Sequence, residues 1–214
     1  MTSYGPLYTP TPVRWRSLNK IVLPSKYPVT LLEVKQQLRL ESCFTEDDAY
    51  IERLIAVATE YAETYCDMTF ILSKWRMTID RFPAVMQLPK PPAHTAPNPP
   101  DVFIQYVGTD PCSDPVTLLP DQYRVDFETV PGHVYVKCDG QGWPSTSFGP
   151  GNVRVEWWAG YGPDYTFVPH KIRHAILMLV AQHYERRLAA ECVSSETLFG
   201  VKTLLDASKW GAYS

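Results

Sequence analysis

The chain has 214 residues, 45% of them apolar and 20% charged, with a net charge of −3. A chain of this size can bury roughly 70% of its unfolded surface, so it needs neither a metal nor a disulfide to fold. Without a run of lysines and arginines it lacks the concentrated basic surface that a tight grip on phosphates demands. Five cysteines, Cys43, Cys66, Cys112, Cys138 and Cys192, are widely spaced and never form Cys-x-x-Cys, which reads as reduced thiols in a cytoplasmic setting. The N-terminus has no apolar core segment, so no secretory leader is expected. The longest clean apolar run, residues 175–181, is far too short to cross a bilayer.

Proline divides the chain. Residues 29–82 and 170–214 contain none, whereas ten fall between Pro83 and Pro120. Proline breaks helix interiors and central strands, so helices are expected in the two clean zones and strands or loops between them.

The first clean zone opens with Thr30 and Glu33 in capping-box spacing, followed by Leu31, Leu32, Val34 and Leu38 as an apolar face. A second helix is predicted from near Thr45. Its face is Ile51, Leu54, Ile55, Ala58, Tyr61, Ala62 and Tyr65. Glu46, Asp47 and Asp48 in its first turn suit the positive end of a helix better than a metal ion.

From residue 71 the period becomes two: Trp75, Met77 and Ile79 alternate with Arg76, Thr78 and Asp80. Further short strands are predicted at 86–88, 102–107, 116–119, 133–137 and 153–158, separated by turn-rich pieces. That pattern suits a small antiparallel sandwich or barrel. Residues 90–101, KPPAHTAPNPPD, read as a stiff, exposed, extended loop.

A third helix is predicted from Pro169, with Ile172, Ala175, Ile176, Leu179, Val180, Tyr184 and Leu188 as its main face. Leu177, Met178 and Ala181 make its centre apolar on nearly every side, so it is either deep in a core or covered by a second chain. A last helix over about 194–208 uses Leu198, Val201, Leu204 and Leu205, and KWGAYS ends the chain.

Catalytic patterns are scarce. His170 and His174 are one helical turn apart, but a third ligand at suitable spacing and a His-Glu-x-x-His pattern are missing. His183 reads as a core histidine. The glycines in DGQGWPS (139–145) and FGPGN (148–152) lack the order of a nucleotide-binding loop and read as turn glycines. Ser194 and Ser195 suit a helix cap. No cofactor and no enzymatic activity are indicated. Trp157, Trp158, Tyr161 and Tyr165 cluster before the third helix, either as packing that locks the β part to the helices or as interface anchors.

The series PVTLLEVKQQLRL (28–40), EDDAYIERLIAVATEYAETYC (46–66), SKWRMTIDRFP (73–83), MQLPKPP (86–92), LLPDQYRV (118–125), VRVEWWAGYG (153–162) and VPHKIRHAILMLVAQHYERR (168–187) resembles the head–tail connector (adaptor, or head completion) family of tailed bacteriophages, of the phage gp6-like type. The resemblance implies an α+β fold: a helical bundle formed by N- and C-terminal helices with a small antiparallel β domain inserted. It implies an N-terminal extension (1–27), a ring-forming helical domain (28–70 plus 166–208), the β insertion (71–165) and a tail (209–214). It also implies a structural virion protein in the neck, made in the host cytoplasm. Copies would form a ring, usually twelve-fold, below the portal protein, extending the DNA channel without sequence-specific binding and receiving a stopper or tail completion protein. The subunit and portal interface would then include Leu177, Met178, Leu198, Leu204 and Leu205, with 198–214 as a docking arm anchored by Trp210 and Tyr213. Two departures stand out: residues 1–27 lie outside the resemblance, and 94–101 is richer in proline than the family's apolar step into the next strand. The competing readings are a protein- or sugar-binding β module of a virion and a metal-dependent hydrolase built on His170 and His174.

Overall fold

The computed structural model describes residues 14–97, 100–137, 142–186 and 195–209, with side chains of the last segment from Phe199 onward. Its helices are α1 (Leu31–Gln37), α2 (Asp48–Cys66), α3 (His170–Glu185) and α4 (Ser195–Asp206). They gather around one buried apolar cluster that includes Val34, Ile51, Ile55, Ala62, Phe70, Ile172, Ile176, Val180, Val201 and Leu205.

The Thr30–Glu33 capping box forms as predicted: the Thr30 hydroxyl accepts from the Glu33 N–H at 3.2 Å, and the Glu33 carboxylate accepts from the Thr30 N–H at 2.8 Å. Arg173 on α3 pairs with the same carboxylate and donates to the Pro28 carbonyl at 3.1 Å, so the cap of α1 is also its tie to α3. α2 starts at Asp48, later than Thr45, because residues 45–47 form a turn that bonds Asp48 N–H to the Thr45 carbonyl. Two of the three acids serve contacts between elements. Asp47 accepts from the Tyr184 hydroxyl at 2.5 Å, and Asp48 pairs with Lys35 at 2.6 Å.

Pro169 occupies the cap position of α3, and the helix begins one residue later than expected. Ile172, Ala175, Ile176, Leu179 and Val180 point into the core as the periodicity required. His183 does not: it is exposed, and Gln182 takes the buried place because it continues the 175–179 row at helical spacing.

The strands are β1 (Ser17–Val22), β2 (Ser73–Ile79), β3 (Met86–Gln87), β4 (Ala93–His94), β5 (Val102–Tyr106), β6 (Val116–Thr117), β7 (Tyr123–Asp126), β8 (His133–Val136) and β9 (Val153–Ala159). The larger sheet runs β1-β2-β9-β5-β6, with β4 also pairing β9; the smaller runs β3-β8-β7. All named pairs are antiparallel. β9 is the spine: β2 lies along its full length on one side, and β5 then β4 share the other. Inward residues of both sheets, Met77, Ile79, Met86, Leu88, Val102, Ile104, Tyr123, Val134, Val153, Val155 and Trp157, form a second buried cluster. The fold is α+β.

Three strands escape the sequence pattern. β1 lacks clear alternation and is held by its ladder with β2. β7 is short, falls between the strands predicted at 116–119 and 133–137, and is held by its ladder with β8. β4 lies within the proline-rich loop, whose first half is not exposed: Pro91 is buried, and the Pro91 and Pro92 carbonyls accept from Thr69 and Gly160 N–H at 3.0 and 2.9 Å. Proline cannot donate to a ladder, but its carbonyl still accepts.

Candidate interaction surfaces

After α2 and again after β9 the chain passes between the helical cluster and the β cluster, and these two crossings run side by side. Ile71 bridges Gly162 in parallel, Leu72 N–H donates to the Gly162 carbonyl at 2.9 Å, and Tyr161 N–H donates to the Phe70 carbonyl at 3.0 Å. Gly160, at φ +132°, permits this approach: a Cβ there would lie 2.7 Å from the backbone of Ile71 and Leu72.

The four aromatics expected at this joint separate. Trp157 is fully buried in the β cluster, and Trp158 on the opposite sheet face is half-buried. Tyr161 packs against the helical cluster, and Tyr165 lies under the Arg173 guanidinium, 5.0 Å from its ring centre. The link itself rests on residues that sequence reasoning passed over. Glu63 of α2 accepts from Lys20 of β1 and from Phe70 N–H, both at 2.9 Å. Trp75 donates to Thr69 at 3.0 Å, with Lys20 and Lys90 over its ring at 5.3 and 5.8 Å. Alternation placed Trp75 on a strand face, but nothing in a single sequence pairs Lys20 with Glu63 across 43 positions.

The expected subunit contacts occupy different environments. Leu177 and Met178 are half-buried and pack against the helical cluster, with Met178 beside Gly200 of α4. The second apolar side of α3 is therefore covered in part by this chain's own α4. Leu204 is half-buried, whereas Leu205 is fully buried in its own core and presents no surface to a partner in this conformation. The Leu198 side chain, Trp210 and Tyr213 lie outside the described residues. Sequence reasoning missed Phe199 on α4, which is 73% exposed.

Two grooves border α2. One, of about 670 Å³, lies between residues 26–31 and α2 and includes Tyr27, Leu31, Glu52, Arg53 and Tyr165. The other follows the outer face of α2 along Val57, Glu60, Tyr61, Thr64 and Tyr65, with the two tyrosine rings stacked at 6.2 Å. At the other end of the molecule, Phe148 stands exposed on the turn before β9.

His170 and His174 are exposed, and among the described residues no three His, Cys, Asp or Glu side chains gather where they could hold a metal ion. Gly151, in the FGPGN piece, has φ +72° and serves a turn. Among the described residues, no helix is long and apolar enough to cross a membrane.

Residues 28–105 match the family model described as phage gp6-like head-tail connector protein. The match spans α1, α2 and the chain through most of β5, including Glu63, Trp75 and the first crossing. Beyond this connector model, the fold recurs in solved structures. A chain from the neck of an empty GTA particle computed with C6 symmetry is similar at TM-score 0.72 and 20% identity, covering 90% of this chain and 95% of that one. A chain from the neck of a native GTA particle computed with C12 symmetry gives 0.67 and 20%, covering 90% and 94%. One from the virion of a native gene transfer agent (GTA) particle gives 0.66 and 22%, with the same coverage. At these identities the likeness is one of fold. No curated protein matches the chain.

Proposed function

We propose that this protein is a structural connector subunit in the neck of a tailed-phage-like particle, where copies form an adaptor ring between the portal and the next neck or tail component. The observation that carries the reading is likeness over 90% of the chain to a component of a GTA particle neck, joined to the connector model over residues 28–105. In the proposed subunit, residues 28–70 and 166–208 form the ring body and residues 71–165 a β insertion. Twelve copies suit the comparisons, since a twelve-fold ring obeys both the C12 and the C6 symmetry used for the similar necks.

The physical chemistry fits this role. A head-to-tail contact that closes by rotation yields a ring, and many modest contacts to a neighbouring ring reinforce one another through high effective concentration. A net charge of −3 suits a passage through which DNA must move without being held. Native mass spectrometry and negative-stain imaging of the purified chain, alone and mixed with the portal protein of the same particle, test the proposal. Rings of about twelve copies seated on portal are expected; a chain that neither forms rings nor binds portal under any assembly condition sinks it.

A further inference from the structure

We infer that the groove on the outer face of α2 is the seat of this chain's own residues 210–214, WGAYS, with Trp210 and Tyr213 laid against Tyr65, Tyr61 and Val57. The contact lies within one chain, so it stands or falls separately from the neck reading.

The groove is built from two rows of α2. Val57, Tyr61 and Tyr65 stand four residues apart along one row, and Glu60 and Thr64 along the next. Val57 and Tyr61 are exposed, and the Tyr61 and Tyr65 rings lie 16° from parallel, so together they form a flat apolar wall. The space beside it is about 430 Å³. An exposed apolar strip does not name its own partner; the course of the chain does.

The described residues end beside this wall. Ser208 and Lys209 N–H donate to the Leu205 and Asp206 carbonyls at 2.8 and 3.2 Å, which winds the chain past the end of α4. Asp206 accepts from the Tyr65 hydroxyl at 2.6 Å, and the Lys209 ammonium lies over the Tyr65 ring, 5.1 Å from its centre. Lys171 of α3 holds the same turn by donating to the Ala207 carbonyl at 3.0 Å. Trp210 therefore starts within one lysine side chain of the groove.

Length and chemistry match as well. Tyr65 and Val57 are roughly 12 Å apart along α2, and five extended residues span up to roughly 17 Å. Residues 210–214 contain two aromatic side chains and no charged one. Trp and Tyr combine a large apolar body with a polar tip, and Glu60 at the edge of the groove offers an acceptor for an indole or backbone N–H. So short a tether presents the segment at an effective concentration of about millimolar, above that of a separate copy in dilute solution. Trp210 and Tyr213 are then not free. Any protein that recruits them must first lift them off α2, and doing so bares Val57 and Tyr61 for a new contact.

Photoreactive benzoylphenylalanine in place of Tyr61, in an equal mixture of isotope-labelled and unlabelled full-length chains, tests this. Irradiation followed by mass spectrometry is expected to join position 61 to the peptide 210–214 within a single isotopic form. Adducts that mix the two forms would mean that another copy fills the groove, and they overturn the inference. Adducts to any other segment, or none at all, overturn it too. In a second measurement, Trp210→Ala should leave helical circular dichroism unchanged and speed nitration of Tyr61 by tetranitromethane at least threefold. Tyr27, exposed beside the other groove, is the reference and should keep its rate. An unchanged Tyr61 rate sinks the inference as well.

Discussion

At the scale of single residues, Gly160 carries the strongest constraint. Its φ of +132° and the Ile71–Leu72 backbone 2.7 Å from a would-be Cβ leave no room for a side chain. Gly160→Ala is expected to cost more than about 2 kcal/mol, read by urea denaturation, because backbone must move on both crossings. Two glutamates set the acid behaviour. Burial opposes ionisation of Glu33, but hydrogen bonds from Thr30 and the charge of Arg173 outweigh it and hold its carboxyl below the ordinary range. Glu156 is likewise opposed by burial and brought down by Lys74 and Arg76. Carboxyls held lower in the folded chain than in the unfolded one stabilise the fold above a pH of about 4.3, and that support is lost as pH falls through their folded values. Melting temperatures taken from pH 7 to pH 3 should fall at the acid end, with a shallower fall for Glu33→Gln and Glu156→Gln. The capping role of Glu33 was legible because cap and glutamate are three residues apart. Its second partner, Arg173, is 140 positions away, and no local pattern reaches that far.

At the scale of elements, periodicity identified α1, α2, α3 and α4, because each buries one face at helical spacing. It failed where an element owes its existence to a neighbour: β1 and β4 are held by the ladders of β2 and β9, not by their own alternation. The same contrast explains the expected interface leucines. Spacing shows that Leu205 lies on an apolar face, but not whether this chain or another covers it. In the fold it is covered by this chain, with Val201 beside it in the core and the Leu205 carbonyl accepting from the Cys66 thiol at 3.8 Å. Tyr65 and Lys171 add tethers to Asp206 and the Ala207 carbonyl at 2.6 and 3.0 Å. Leu205→Ala should therefore cost about 2–5 kcal/mol. In that variant hydrogen exchange should show the α4 amides losing protection before those of α2; α4 protection unchanged from the wild type would mean that α4 is not held by this contact.

At the scale of the whole molecule, two buried clusters are joined by bonded crossings and by the Lys20–Glu63 pair, so they should unfold together. Urea transitions followed by helical circular dichroism and by tryptophan fluorescence, to which Trp75, Trp143, Trp157 and Trp158 of the β part contribute, are expected to coincide. Separate midpoints would show that the joint does not couple the two. The side-by-side crossings also fix how a load would travel. Tension applied at Phe148 runs down β9 into α3 through covalent backbone. Through the Asp80–Gly151 bond it also enters β2 and passes into α2. Both strands are tied at the same end, so the ladder between them is neither sheared nor unzipped, and the two helices receive the pull as a pair of parallel cables.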